Sequence, residues 1–101
     1  MMKSVCAFMY VAPGCTPVVQ HALLSSESLD LHISGVSDYA QGEAEAKRLV
    51  ENGCTVIELY AGFGHEGIAR IQKAVGPKIA VGAVRFDFHP ALEFKSGDQV
   101  F

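Results

Sequence analysis

Basic charge is scarce in this chain. Eight Lys and Arg stand against eleven Asp and Glu, giving a formal net charge of −3 and a pI near 5.7. The cations form no stripe and do not interleave with aromatics, so the footprint of a nucleic-acid binder is missing. Long apolar runs are missing too, and nothing approaches the roughly 20 apolar residues of a membrane-spanning helix. The run Val5 to Ala12 is short and is broken by Pro13-Gly14. It lacks the small-x-small cleavage pattern of a signal peptide and reads as a buried strand. The three cysteines, Cys6, Cys15 and Cys54, are odd in number and never spaced C-x-x-C, which leaves no case for a disulfide framework or a zinc ribbon. Cys6 and Cys54, in or beside apolar strands, read as core filler. Free thiols suit a cytoplasmic protein. No repeat, low-complexity tract or linker divides the sequence.

What remains is 101 residues, half of them hydrophobic and 19% charged. That is one globular domain, residues 1–101, with a core of modest size. A small core leaves little wall for a pocket, and a sheet of this kind has two open edges. A homo-oligomer is therefore expected.

Residues 4–12 read as a strand covered on both faces. Thr16-Pro17 offers an N-cap and a first-turn proline, predicting a short helix to about Ser25. Residues 29–34 alternate, with Leu29, Leu31 and Ile33 on one face and Asp30, His32 and Ser34 on the other, as at a sheet edge. Asp38 and Gln41 resemble a capping box. They precede a stripe of Tyr39, Gly42, Ala46, Leu49 and Val50; Gly53 supplies the stop. Residues 54–61 read as a strand, His65 opens a helix that Gly76-Pro77 ends, and residues 79–86 form the last strand. The order β-α-β-α-β-α-β predicts an α/β domain of four mainly parallel strands and three helices. It would be either an open flavodoxin-like sheet, with the first strand central and the second at an edge, or a half-barrel-like sheet that pairs with copies of itself.

Parallel strands end on one side of a sheet, and ligands bind there. The predicted ends carry Pro13 to Cys15, Gly35 to Ser37, Gly62 to Glu66 and Arg85 to His89. The loop Gly62-Phe63-Gly64-His65-Glu66-Gly67 is glycine-rich and opens a helix, a setting that favours an anion. Its G-x-G-x-x-G spacing, with Asp87 about twenty residues on, matches a dinucleotide fingerprint only in part, because no second mononucleotide half follows. Gly62, Gly64, His65, Glu66 and Asp87 are thus candidate ligand-binding residues. Glu58 interrupts an apolar strand and Arg85 has a comparable place in the next one. They predict either a structural ion pair or a site in which Arg85 anchors an anionic substrate and Glu58 serves as acid/base. His65, Asp87 and His89 form a two-His, one-carboxylate pattern, but no metal and no cofactor is assigned. Cys15 would lie before a helix N-terminus, where a thiol is activated. His21 and His32 read as surface residues.

The segments Ala12-Pro13-Gly14, Gly35-Val36, Ile57-Glu58-Leu59, Gly62-Phe63-Gly64, Glu66-Gly67 and Val81-Gly82-Ala83-Val84 resemble a family of short bacterial proteins classed only as a domain of unknown function. That resemblance covers most of the chain and implies no activity. More locally, Leu49 to Val84, with its run Glu51-Asn52-Gly53-Cys54-Thr55-Val56-Ile57-Glu58, is similar to an early βαβ piece of 2-keto-3-deoxy-6-phosphogluconate aldolase. The resemblance implies proton transfer at Glu58. The family's Schiff-base lysine lies on a later strand, and none of Lys3, Lys47, Lys73 and Lys78 falls at the C-terminal end of a predicted strand.

Together these readings predict a protein that binds a small anionic metabolite at its strand ends. The alternatives are a lyase or isomerase using Glu58 and Arg85, and a structural or regulatory oligomer without a ligand.

Overall fold

The computed structural model describes residues 3–101. A five-stranded sheet runs in the order β2-β3-β1-β4-β5, with β1 Ser4–Val11, β2 His21–Ser25, β3 Leu29–Val36, β4 Val56–Leu59 and β5 Ala80–Ala83. Two helices, α1 Tyr39–Glu51 and α2 His65–Val75, connect β3 to β4 and β4 to β5. The apolar first strand is central, as expected. It pairs in parallel with β3 (Phe8 opposite Ile33) and with β4 (Phe8 opposite Glu58). The parallel strands β3-β1-β4-β5 keep the open α/β arrangement; a barrel half is not formed.

The predicted first helix is a correction. Residues 16–20 form a turn, in which the Gln20 and Val19 amides donate to the Thr16 carbonyl at 2.7 and 3.0 Å. His21 to Ser25 is then a strand, antiparallel to β3. The helix fails because its apolar residues have nothing to cover: Val18 and Val19 are 89% and 69% exposed. A tight turn, closed by the Ser26 amide on the Leu29 carbonyl, suits a hairpin better. Among the described residues there are thus five strands and two α-helices, and β2 rather than β3 lies at the edge.

Both helices move the chain the same way along the sheet. Right-handed crossovers therefore put both on one face. There Tyr39, Ala46 and Leu49 of α1 and Ile71 of α2 bury Ala7, Met9 and Val11 of β1 and Ile57 and Leu59 of β4. Asp38 caps α1 by accepting the Gln41 amide at 2.8 Å, while the Gln41 side chain accepts the Ser37 amide at 2.7 Å, one residue off the usual capping box.

The opposite face of the sheet is covered by no helix among the described residues. It carries Cys6, Phe8 and Tyr10 from β1, Leu31 and Ile33 from β3, and Val56 and Glu58 from β4, in the register of the ladders. The alternation of β3 is therefore inverted with respect to the core. Ser34, opposite Met9, is fully buried under α1, and the apolar Leu31 and Ile33 look outward. The result is a slab, 44 × 27 × 19 Å.

After β5 the chain turns back over the strand ends through two short 3-10 turns, Pro90–Leu92 and Gly97–Gln99. Phe101 closes this tail by packing against the Tyr39 ring, centroids 6.2 Å apart.

Candidate functional site

β1 and β4 are neighbours, yet the chain leaves their C-terminal ends in opposite directions, towards the hairpin and towards α2. Such a divergence opens a crevice, the usual ligand position of open α/β sheets. A cavity of about 220 Å3 lies there, lined by Tyr10, Val11 and Pro13 from the end of β1, Tyr60 and Gly62 from the end of β4, and His89 from the tail. Ala91 and Leu92 complete its wall and separate it from a second hollow that holds Lys95 and Gln99.

Each lining group is fixed by something local. The Tyr10 ring lies over Gly35, where a Cβ would stand 2.5 Å from the phenol carbon and oxygen. Burial pushes the Tyr10 phenol up, and the charge of the neighbouring Cys15 thiol adds to the effect. Tyr60 packs on Phe8, ring centroids 5.7 Å apart. His89 Nδ1 accepts the Ala91 amide at 3.0 Å, which leaves the proton of the neutral ring on Nε2 as a free donor. The crevice thus offers aromatic walls and one imidazole donor.

The glycine loop has a different arrangement. Asp98, from the tail, sits at the N-terminus of α2. Its carboxylate accepts the Glu66 amide at 3.0 Å, the Gly67 amide at 3.2 Å and the Tyr39 hydroxyl at 2.7 Å. Tyr39 in turn accepts the Gly64 amide at 3.0 Å. Partial burial pushes the Asp98 carboxyl up, but the two amides and the Tyr39 hydroxyl outweigh it and hold it below the usual range. Burial pushes the Tyr39 phenol well up, with the Asp98 charge adding to it. The chain's own carboxylate therefore fills the position where an external anion was expected. Gly64 is required by this packing: a Cβ there would meet Asp98 Oδ1 and Ser96 Oγ at 2.5 Å.

The structure does not bring Glu58 and Arg85 together. Glu58 is exposed on the uncovered sheet face, opposite Gly82. Arg85 lies beyond β5 and turns towards α2, with Nη1 2.9 Å from His65 Nδ1 and Nε 2.9 Å from Asp87 Oδ1. Neither a buried ion pair nor an acid/base site with a substrate anchor is assembled from those two residues. β5 ends before Arg85, so the equivalence of position read from the sequence is lost. His65 Nε2 stands 3.6 Å from Asp87, but His89 is turned to the crevice. Among the described residues no group of three or more His, Cys, Asp or Glu side chains could hold a metal ion. Of the predicted ligand-binding residues, Gly62 lines the crevice, while Gly64, His65, Glu66 and Asp87 lie outside it. Cys15 precedes a turn rather than a helix, and it lies near Tyr10.

Sequence reasoning missed Tyr10, Tyr60 and Asp98. Tyr60 follows β4 directly, and its place at a strand end was the available signal. It also missed a polar cluster between the hairpin and α1. There Glu45, its side chain 1% exposed, accepts Ser34 Oγ at 2.7 Å and Arg48 Nε and Nη2 at 2.6 and 2.8 Å. Burial pushes the Glu45 carboxyl up, but those hydrogen bonds outweigh it and hold it low. No helix among the described residues is long and apolar enough to cross a membrane.

A family of unknown function, DUF6506, matches residues 4–99, and the chain belongs to it. No curated protein and no solved structure matches the chain, so nothing in these comparisons supports the local resemblance to the aldolase.

Proposed function

We propose, for this member of a family of unknown function, a small-molecule-binding role centred on the crevice between the ends of β1 and β4. The observation that carries it is the cavity of about 220 Å3 at the point where the two connections diverge. Its size suits a small metabolite. Its aromatic walls favour a compact apolar or aromatic body, and the free Nε2–H of His89 favours one acceptor or acidic group. An anionic ligand is in keeping with this, with Lys95 in the adjoining hollow as a cation. The N-terminus of α2 is not its anchor, because Asp98 is bound there.

Benzoate, a planar acid of suitable size, is the probe. In an NMR titration, the largest shift changes are expected at Tyr10, Tyr60, Gly62 and Ala91, with saturation, and a loss of response in His89→Ala. Largest changes at Glu66 and Gly67, or none that saturate, would reject the crevice.

A second reading, self-association without a ligand, is favoured by the uncovered sheet face. Mostly parallel sheets are ordinarily covered on both faces. Here Leu24, Tyr60 and Val84 remain 61%, 48% and 55% exposed. Light scattering at micromolar concentration tests it: a mass above that of one chain supports assembly, and a monomer mass unchanged on concentrating rejects it.

A further inference from the structure

The polar cluster beside the hairpin shares no lining residue with the crevice, and the inference drawn from it stands apart from the ligand proposal. His21 and His32 are diagonal neighbours across the β2-β3 ladder, since His21 pairs with Ser34 and Leu23 with His32. Their rings approach edge to face, with His21 Nε2 3.0 Å from His32 Nδ1. Behind His21 stands a chain of polar contacts. Ser34 has one proton, and it goes to Glu45 at 2.7 Å. Two groups meet His21 Nδ1: Ser34 Oγ at 3.2 Å, which would accept a proton from it, and Arg48 Nη2 at 3.4 Å, which would donate to it. With the imidazole proton on Nδ1 and given to Ser34, the lone pair of His21 Nε2 faces His32 Nδ1. Arg48 grips Glu45 through two nitrogens and keeps the carboxylate charged in a buried position.

A buried carboxylate is costly unless it is fully paired. One that fixes the tautomer and ring angle of a histidine, by way of a second hydrogen bond, is the outer shell found behind metal-ligating imidazoles. We propose that His21 Nε2 and His32 Nδ1 are the two protein ligands of a divalent transition-metal ion, with Ser34 and Glu45 as positioning residues. Nitrogens 3.0 Å apart, each about 2.0–2.1 Å from one ion, subtend roughly 90–97° there. That is close to the angle between adjacent ligands in square-planar or octahedral coordination, as preferred by Cu2+ and Ni2+. On binding, each ring turns about its Cβ–Cγ bond to direct its lone pair to the shared point. The proton on His32 Nδ1 is exchanged through solvent to Nε2. Water or a small ligand fills the remaining coordination positions, and His21 borders an open hollow of about 500 Å3 that Pro17, Val18, Glu45 and Arg48 also line.

The test is a calorimetric titration of the full chain with NiCl2. One saturable site per chain is expected, abolished in both His21→Gln and His32→Gln and unchanged in Cys15→Ser and His65→Gln. Ser34→Ala and Glu45→Gln are expected to weaken binding by about 10–100-fold. Ser34→Ala carries this arm if Glu45→Gln does not fold, as read from its far-UV circular dichroism. The proposal is overturned if no saturable binding occurs, or if His32→Gln binds like the wild type. If both histidine variants lose binding while Ser34→Ala and a folded Glu45→Gln keep it in full, the positioning role is overturned.

Discussion

Asp98 is the side chain whose removal should be felt most widely. It accepts two amides from the first turn of α2 and the hydroxyl of Tyr39, which is 2% exposed. α2 has no capping side chain of its own, because Gly64 holds the N-cap position. Asp98→Ala removes a helix cap, worth about 0.5–2 kcal/mol. It also leaves the Tyr39 hydroxyl proton without an acceptor, at about 1–3 kcal/mol. A loss of roughly 2–4 kcal/mol follows, which in a domain of this length lowers Tm by roughly 10–25 °C. Asp98→Asn keeps one acceptor oxygen and should lose about half as much. The pH dependence has a definite sign. A carboxyl held below its ordinary value of 3.8 stabilises the fold fully above that value, and the contribution is lost as pH falls through the folded pKa. Between pH 7 and pH 3, the gap in Tm between wild type and Asp98→Ala should therefore narrow. Thermal melts followed by circular dichroism measure both effects. A fall of less than about 3 °C for Asp98→Ala at pH 7, under 1 kcal/mol, would refute the reasoning.

Other substitutions test neighbouring claims. Gly97→Ala would drive a methyl group into the Gly62 carbonyl, so the tail should undock and residues 96–101 should lose hydrogen-exchange protection. Gly35→Ala sets a Cβ against the Tyr10 ring; it should cost about 1–3 kcal/mol by overpacking and abolish benzoate binding at the crevice. Glu58→Gln removes an exposed carboxylate, so denaturant unfolding should change by no more than about 0.5 kcal/mol. A loss of several kcal/mol would instead reveal a buried ion pair. Leu31→Lys, on the uncovered sheet face, should reduce the light-scattering mass to that of one chain if that face carries an assembly.

Much of the layout was legible in the sequence because it rests on local signals. The Asp38 cap, the apolar stripe from Tyr39 to Leu49, the stops at Gly53 and Gly76, and the continuous apolar run of β1 each act within a few residues. Residues 16–25 were misread because Thr16-Pro17 is an equally good turn former, and the choice was made by pairing with β3, which no local pattern records. The β3 alternation predicted two faces but not which was covered. That depended on both helices crossing on one side, and on Glu45 reaching Ser34 from α1. Gly62 stands beyond the C-terminal end of β4, where the alternation of strands and helices put it. Asp98 lies 32 residues from Glu66 in sequence, and nothing near it signals that it closes the glycine loop.

The central place of the first strand has a consequence for how the chain folds. Ser4 to Val11 has no partner until β3 and then β4 have been synthesised, and it pairs with both in parallel. The β2-β3 hairpin needs only a short connection, so its closure is fast. β1 then adds to the hairpin edge as its third strand, and α1 carries the chain across to lay β4 on the other side. Until that crossing, Phe8 and Met9 belong to an unpaired apolar edge of the kind that draws aggregation during folding. The rate-limiting step should be this docking of β4 on β1, and mutations at Ile57 should slow refolding more than mutations at Leu24 in the hairpin.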